Sequence, residues 1–176
     1  MQFPVKLPVD GYRDEILAAI ASEPVVILTA ETGAGKSTRV PLWLWQAGRR
    51  IHVTQPRRIA ARALSNYLAR ACGVPWGREI GYQTGLDGNR SAATTLLYLT
   101  DGVQMVREIQ GGRDYDVLIL DEIHEWNLNQ EVLIGLVRKN LDGGFFKASG
   151  KRVVIMSATL KARQISTFLN HAPVIT

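Results

Sequence analysis

Two short stretches of this chain carry residue types and spacings that do chemistry. The first is Ala30-Glu31-Thr32-Gly33-Ala34-Gly35-Lys36-Ser37, which follows the apolar run Val25 to Thr29 and opens a helical stretch. Small residues between a buried strand and a helix let successive backbone N–H groups curl around phosphate oxygens. The helix start adds the positive end of its dipole. In this phosphate-binding pattern Lys36 reaches the β- and γ-phosphates, the Ser37 hydroxyl ligates Mg2+, and Thr38 adds a hydroxyl near the α-phosphate. Ala30 stands where the pattern has its first glycine, and a methyl fits there if the backbone keeps a negative φ.

The second stretch is Asp121-Glu122-Ile123-His124, directly after the apolar run Tyr115 to Leu120. Alone, an acidic pair at a strand end is ordinary solvated surface. In an open parallel sheet, however, ligands bind at the carboxyl ends of the strands, so this pair can lie beside the phosphate turn. There Asp121 would hold Mg2+ and Glu122 would orient or deprotonate the attacking water, with Lys36 completing the catalytic set. Phosphoryl transfer asks the protein mostly for positioning and charge neutralisation, and these groups supply both.

The elements around these stretches must place them. Strand patterns fall at 25–29, 51–54, 79–83 (the weaker), 94–100, 115–120 and 153–156, with helical patterns at 37–47, 57–71, 101–110, 128–140 and 162–168. Gly85 to Ser91 reads as a turn and residues 1–12 as a loose lead-in to a domain spanning 13–176. The alternation predicts an α/β domain with a mainly parallel central sheet and helices on both faces. A length of 176 residues with 46% hydrophobic and 21% charged residues fits one such domain and excludes disorder or coiled coil. No apolar run is long enough for a membrane span, no signal peptide is visible, and a cytoplasmic protein without a membrane partner is expected. The single cysteine, Cys72, allows no internal disulfide and reads as packing, while His52 reads as structural. The net charge of +5 is compatible with an anionic partner.

In this order the motifs resemble the amino-terminal RecA-like lobe of the DEAH-box helicases, superfamily 2 motors that act mainly on RNA, with bacterial members nearest in flavour. Ala30 to Thr38 looks like the family's first motif, and Thr54-Gln55-Pro56-Arg57-Arg58-Ile59-Ala60-Ala61 like its next. Thr100-Asp101-Gly102, with Arg107-Glu108, resembles the following nucleic-acid motif; Asp121 to Glu125 resembles the name-giving box; Ser157-Ala158-Thr159 resembles the motif coupling hydrolysis to movement. The resemblance runs from about Asp10 to Leu169.

The resemblance implies a RecA-like P-loop NTPase fold that binds ATP with Mg2+. Glu31, Thr32, Gly33, Ala34, Gly35, Lys36, Ser37, Thr38 and Tyr67 would bind ATP; Ser37, Asp121 and Glu122 would serve the metal. Arg57, Arg58, Thr100 and Asp101 would line a nucleic-acid track on the sugar-phosphate backbone, of RNA first and DNA as the alternative. His124, Ser157 and Thr159 would couple the nucleotide site to a second RecA-like lobe, which with downstream domains belongs to the parent chain. The departures are Ile123 for the usual Ala, Trp126 for a common Arg, Gly85 for an Arg after Gly81-Tyr82, and Tyr67 for an Arg that packs on adenine. Arg57, Arg58 and Arg62 alone would read as a solvated helix start, and the preceding Thr54-Gln55-Pro56 favours nucleic acid instead; Ser157 and Thr159 could simply cap the next helix. Trp45, Trp126 and Phe145 or Phe146 are candidates for a surface that meets a partner domain, with core packing the expected fate of most of them. Other classes consistent with the phosphate turn are a P-loop kinase or nucleotide switch, and a non-catalytic nucleotide-binding scaffold. On the helicase reading the isolated lobe binds nucleotide weakly, hydrolyses it slowly and unwinds nothing.

Overall fold

Val25–Thr29 (β1) shows why the sheet is buried on both sides: Val26 and Leu28 enter one core and Val25 and Ile27 the other. The same two-sided burial holds for Ile51–Gln55 (β2), Leu96–Thr100 (β5), Val117–Leu120 (β6) and Arg152–Ser157 (β7). In this computed structural model, which describes residues 5–125, 127–158 and 162–176, these strands join Ile80–Gln83 (β3), Gly88–Asn89 (β4) and Val174–Ile175 (β8). The sheet runs β4-β3-β5-β2-β6-β7-β1-β8, parallel throughout except for the β3–β4 pairing.

Helices Arg13–Ser22 (α1), Lys36–Gln46 (α2) and Arg58–Cys72 (α3) cover one face. Asp101–Ile109 (α4), Leu128–Asp142 (α5), Phe145–Ser149 (α6) and Ala162–Phe168 (α7) cover the other. The strand and helix patterns read from the sequence all appear, with ends shifted by a residue or two. The patterns missed α1, α6 and the two-residue strands. In α1 only Ile16 and Ile20 enter the core, too few to show a period among alanines. In α6 five residues sit between Gly144 and Gly150, both left-handed, and a single turn shows no periodicity.

Three expectations change. The lead-in is not loose where it is described: Pro8–Tyr12 forms a 3-10 helix with Val9 buried. Phe146 is a core residue and Phe145 packs under the Arg113 guanidinium, so neither offers a free aromatic face. Trp45 is partly buried, its indole N–H donating to Thr95 Oγ1 at 2.9 Å. Trp126 lies outside the described residues. Cys72 packs in the core as expected.

His52 is structural, as the sequence implies, and anchors a buried polar network beneath α4. Its Nδ1 meets Gln104 Oε1 at 3.0 Å, and Gln104 Nε2 donates to Glu108 Oε1. That carboxylate also accepts from the Tyr115 hydroxyl and, through Oε2, from Arg113 Nε. Burial pulls the His52 imidazole down to about 4, against the opposing pull of Asp114 and Gln104. Between pH 6.5 and 4 the unfolded chain therefore binds the proton that the folded chain refuses. The stabilisation is complete above pH 6.5 and is lost as pH falls toward 4, by up to about 3 kcal/mol. Urea unfolding at stepped pH is expected to show this slope in the parent and a shallower one in His52→Gln; identical slopes would show that His52 does not titrate between the two states.

Candidate nucleotide and nucleic-acid site

The parallel register delivers the motifs to one edge. Thr29 pairs with Ser157, Thr54 with Leu120, and Gln55 with Thr100, so the phosphate turn, the acidic pair and the Gln55-Pro56-Arg57 corner all leave the sheet at its carboxyl end. Gly33 and Gly35 take φ of 86° and 95°, left-handed values that only glycine adopts at low cost. Ala30 is not among the positive-φ residues, which is why a methyl is accepted where the pattern has glycine. Gly35 caps α2 without any side-chain hydrogen bond. A helix start leaves its first amides without intrahelical acceptors, and an anion is a natural partner for them.

Lys36 is nearly buried, its Nζ donating to Ala30 O at 2.5 Å and Glu31 O at 3.1 Å. Burial lowers its pKa, while Asp121 and Glu122 pull it back up. The ammonium is thus held at the mouth of the turn and faces the acidic pair. Ser37 is held from two sides. Pro41 has no N–H to return to the Ser37 carbonyl four residues earlier. The fully buried Tyr98 hydroxyl on β5 donates to that carbonyl instead, at 2.8 Å. The Ser37 side chain lies beside the Asp121 carboxylate and favours its charged form.

Asp121 has no exposed surface. Its Oδ2 accepts from Gln55 Nε2 at 2.5 Å and its Oδ1 from the Glu122 amide at 2.9 Å. Burial pushes its carboxyl up to about 6, with Glu122 adding repulsion, while Ser37, Gln55 and the Glu122 amide oppose the rise. Glu122 follows with φ 55°, a strained value for a residue with a side chain. Its side chain lines an open cleft together with Leu7, Thr32, Gly33, Gly35, Lys36, Ser37, Thr38 and Tyr67. One cavity therefore gathers most of the residues expected to hold a nucleotide. Glu31 and Ala34 contribute through the backbone of the turn, the Ala34 amide donating to Glu31 O at 3.2 Å.

The donor set fits Mg2+. The Ser37 hydroxyl and the Asp121 carboxylate, both hard oxygens, lie side by side. Among the described residues no group of three or more His, Cys, Asp or Glu could hold a metal unaided, as expected where phosphate oxygens and water supply the remaining ligands.

The candidate track is less uniform. Arg57 is 74% exposed and pairs with Glu125 Oε1 at 2.8 Å. Arg58 is exposed at the first position of α3 and lines a shallow cleft with Ile59, Arg62, Leu86 and Asp87. Thr100 is partly buried at the start of α4. Asp101 departs from expectation: it is 2% exposed, and its Oδ2 accepts from Asn127 Nδ2 at 3.0 Å. Burial raises its carboxyl pKa, and the Asn127 hydrogen bond opposes the rise. It braces α4 against the start of α5. Ser157 is buried at the end of β7, next to β1, with its carbonyl accepting from the Ala30 amide at 3.4 Å. Thr159 and the side chain of His124 lie outside the described residues.

Sequence reading assigned no role to Tyr98, to Gln55 as the partner of Asp121, or to Leu7 as a wall of the cleft. Pro41 four residues after Ser37 was a legible signal that some other donor must serve the Ser37 carbonyl. Nothing in the sequence said which.

Fold and site together define a RecA-like nucleotide-binding lobe of the P-loop class. The chain matches the DEAD/DEAH box helicase family over residues 12–168 and belongs to that family. It is 36% identical over 96% of its length to the probable ATP-dependent RNA helicase DHR2 of Saccharomyces cerevisiae, and 35% identical over 97% to the ATP-dependent RNA helicase HrpA of Borreliella burgdorferi. The chain covers 24% and 21% of those two proteins. Among solved structures it resembles the Escherichia coli DEAH/RHA helicase HrpB, with a TM-score of 0.86 and 32% identity over 97% of this chain and 22% of that one.

Removing the Tyr98 hydroxyl leaves the Ser37 carbonyl without its buried donor. Tyr98→Phe is expected to lower stability by about 1–3 kcal/mol in urea unfolding; an unchanged midpoint would show that the carbonyl finds another donor.

Proposed function

We propose that this chain is the ATP-binding lobe of a nucleic-acid-dependent helicase that couples ATP hydrolysis to movement on RNA. The observation that carries the reading is the convergence of Lys36, Ser37 and Glu122 on one cleft, with the Asp121 carboxylate buried beside them and Arg57 and Arg58 exposed on the neighbouring corner. The relatives DHR2 and HrpA, a probable and an assigned ATP-dependent RNA helicase, point the same way. In this reading the turn from Glu31 to Gly35 and the first amides of α2 hold the phosphates. Lys36 balances their charge and Thr38 adds a hydroxyl. Tyr67, half exposed on α3, offers a ring face to the base.

Ser37 and Asp121 would hold Mg2+, which supplies charge neutralisation on the phosphate oxygens. Glu122 takes the proton of the attacking water or fixes its direction. Arg57 and Arg58 grip the backbone of a strand without reading sequence. Ser157, with Thr159 and His124, would pass the state of the site to a second RecA-like lobe, the partner that with further domains completes the machine. No described helix is long and apolar enough to cross a membrane, and a cytoplasmic setting suits an RNA substrate.

Titration with a fluorescent ATP analogue tests the reading. Lys36→Ala is expected to weaken binding at least about tenfold, a loss on the scale of one charge-assisted contact, and chelating Mg2+ should weaken the parent as well. Glu122→Gln should bind normally while its hydrolysis falls by about a hundredfold or more. Binding indifferent to both Lys36 and Mg2+ would contradict the proposal.

A further inference from the structure

The segment before α1 is built onto the phosphate turn. Val9 N–H donates to Ala34 O at 3.1 Å, inside the glycine-rich loop itself. A Cβ added at Gly35 would lie 2.6 Å from Leu7 Cδ1 and 3.3 Å from Val9 Cγ1, so two apolar side chains close over the residue that caps α2. Ala34 is 5% exposed, where a bare turn would leave it open. A single carboxylate fixes both ends of this contact. Asp10 Oδ2 accepts from the Leu7 amide at 2.7 Å and closes the segment on itself. Asp10 Oδ1 meets Arg39 Nε at 3.1 Å, with the Arg39 side chain only 5% exposed. Arg39 Nη2 donates onward to Val5 O at 2.8 Å, and the Arg39 amide bonds Gly35 O at 2.9 Å. The ring therefore closes from the segment through Arg39 and α2 back to the turn.

A loop containing two left-handed glycines loses much conformational entropy when it is fixed around a ligand. If the loop is already fixed in the empty protein, that cost is met by folding and not by binding. We infer that residues 7–10 are a strap that presets the phosphate-binding turn, and that Asp10 is its positioning residue, acting through Arg39 and Gly35. Leu7 has a second part, since its side chain also borders the nucleotide cleft beside Thr38 and Tyr67. The inference rests on the nucleotide reading proposed above and adds a determinant of affinity that lies outside the recognised motifs.

The test uses Asp10→Asn and, as a second variant that removes little buried surface, Leu7→Ala, each in the 176-residue chain. Fluorescent ADP and AMP are titrated against both, with Lys36→Ala as the reference, and amide hydrogen exchange is followed across residues 33–37. Both strap variants are expected to bind ADP about five- to tenfold more weakly, as lost preorganisation predicts. The loss should shrink for AMP, which engages less of the turn, and Gly33 and Gly35 amides should exchange faster at unchanged melting temperature. Asp10→Glu, which keeps the charge, should recover most of the affinity. The strap is overturned if Lys36→Ala abolishes binding while both strap variants bind ADP like the parent. It is equally overturned if they lose ADP and AMP alike in step with melting temperature. If Lys36→Ala also binds like the parent, the nucleotide reading itself has failed, and the strap fails with it.

Discussion

The juxtaposition of Ser37 with the buried Asp121 carboxylate is the constraint on which the site depends. It joins the start of a helix on one face of the sheet to the end of β6, across the strand β7 that separates β6 from β1. Everything around it serves to hold those two groups in register. Tyr98 serves the Ser37 carbonyl that Pro41 leaves open, and Gln55 holds the other oxygen of the carboxylate. The parallel register of β2, β6 and β5 fixes where Gln55 and Asp121 emerge. The result is a buried acid whose proton affinity is raised by its surroundings, facing a buried lysine whose own is lowered. Each would be costly alone, and their mutual attraction offsets part of that cost. A cation with a phosphate chain is the ligand class that satisfies both groups at once.

The two faces of the sheet divide the labour. Beneath α1, α2 and α3 a large apolar core supports the phosphate turn. Beneath α4 the sheet carries instead the His52–Gln104–Glu108–Tyr115 network. Asp101 braces the start of the same helix against Asn127. A helix held at both ends by buried hydrogen bonds is fixed in one orientation more firmly than apolar packing alone would fix it. The exposed Arg57 and Arg58 sit on the adjacent corner, so the surface proposed for nucleic acid is mounted on a rigid base.

Much of this was legible in the sequence because the relevant constraints are local. A continuous apolar run and the Gly-Lys-Ser turn mark β1 and the start of α2, and the run into Asp121 marks the end of β6. What stayed hidden depends on who meets whom across the sheet. Asp101 carries the same text whether it faces solvent or an asparagine 26 residues away, and only packing decides. The segment before α1 looked loose because prolines and isolated apolar residues have no period. Its order comes from Asp10 meeting Arg39, a contact between side chains that sequence spacing does not announce. Phe146 went inward for a similar reason: a one-turn helix between two left-handed glycines aims its side chains by backbone geometry.

The central claim is that phosphates bind at the carboxyl edge of the sheet, between the turn after β1 and the acidic end of β6. Backbone amide chemical-shift mapping of the 15N-labelled chain on addition of MgADP tests it most directly. The account predicts that the largest shifts fall on residues 32–38 and on Glu122, with smaller ones at Tyr67 and at Leu7. Shifts centred elsewhere on the molecule, with the Gly33 and Gly35 amides unmoved at saturation, would contradict it.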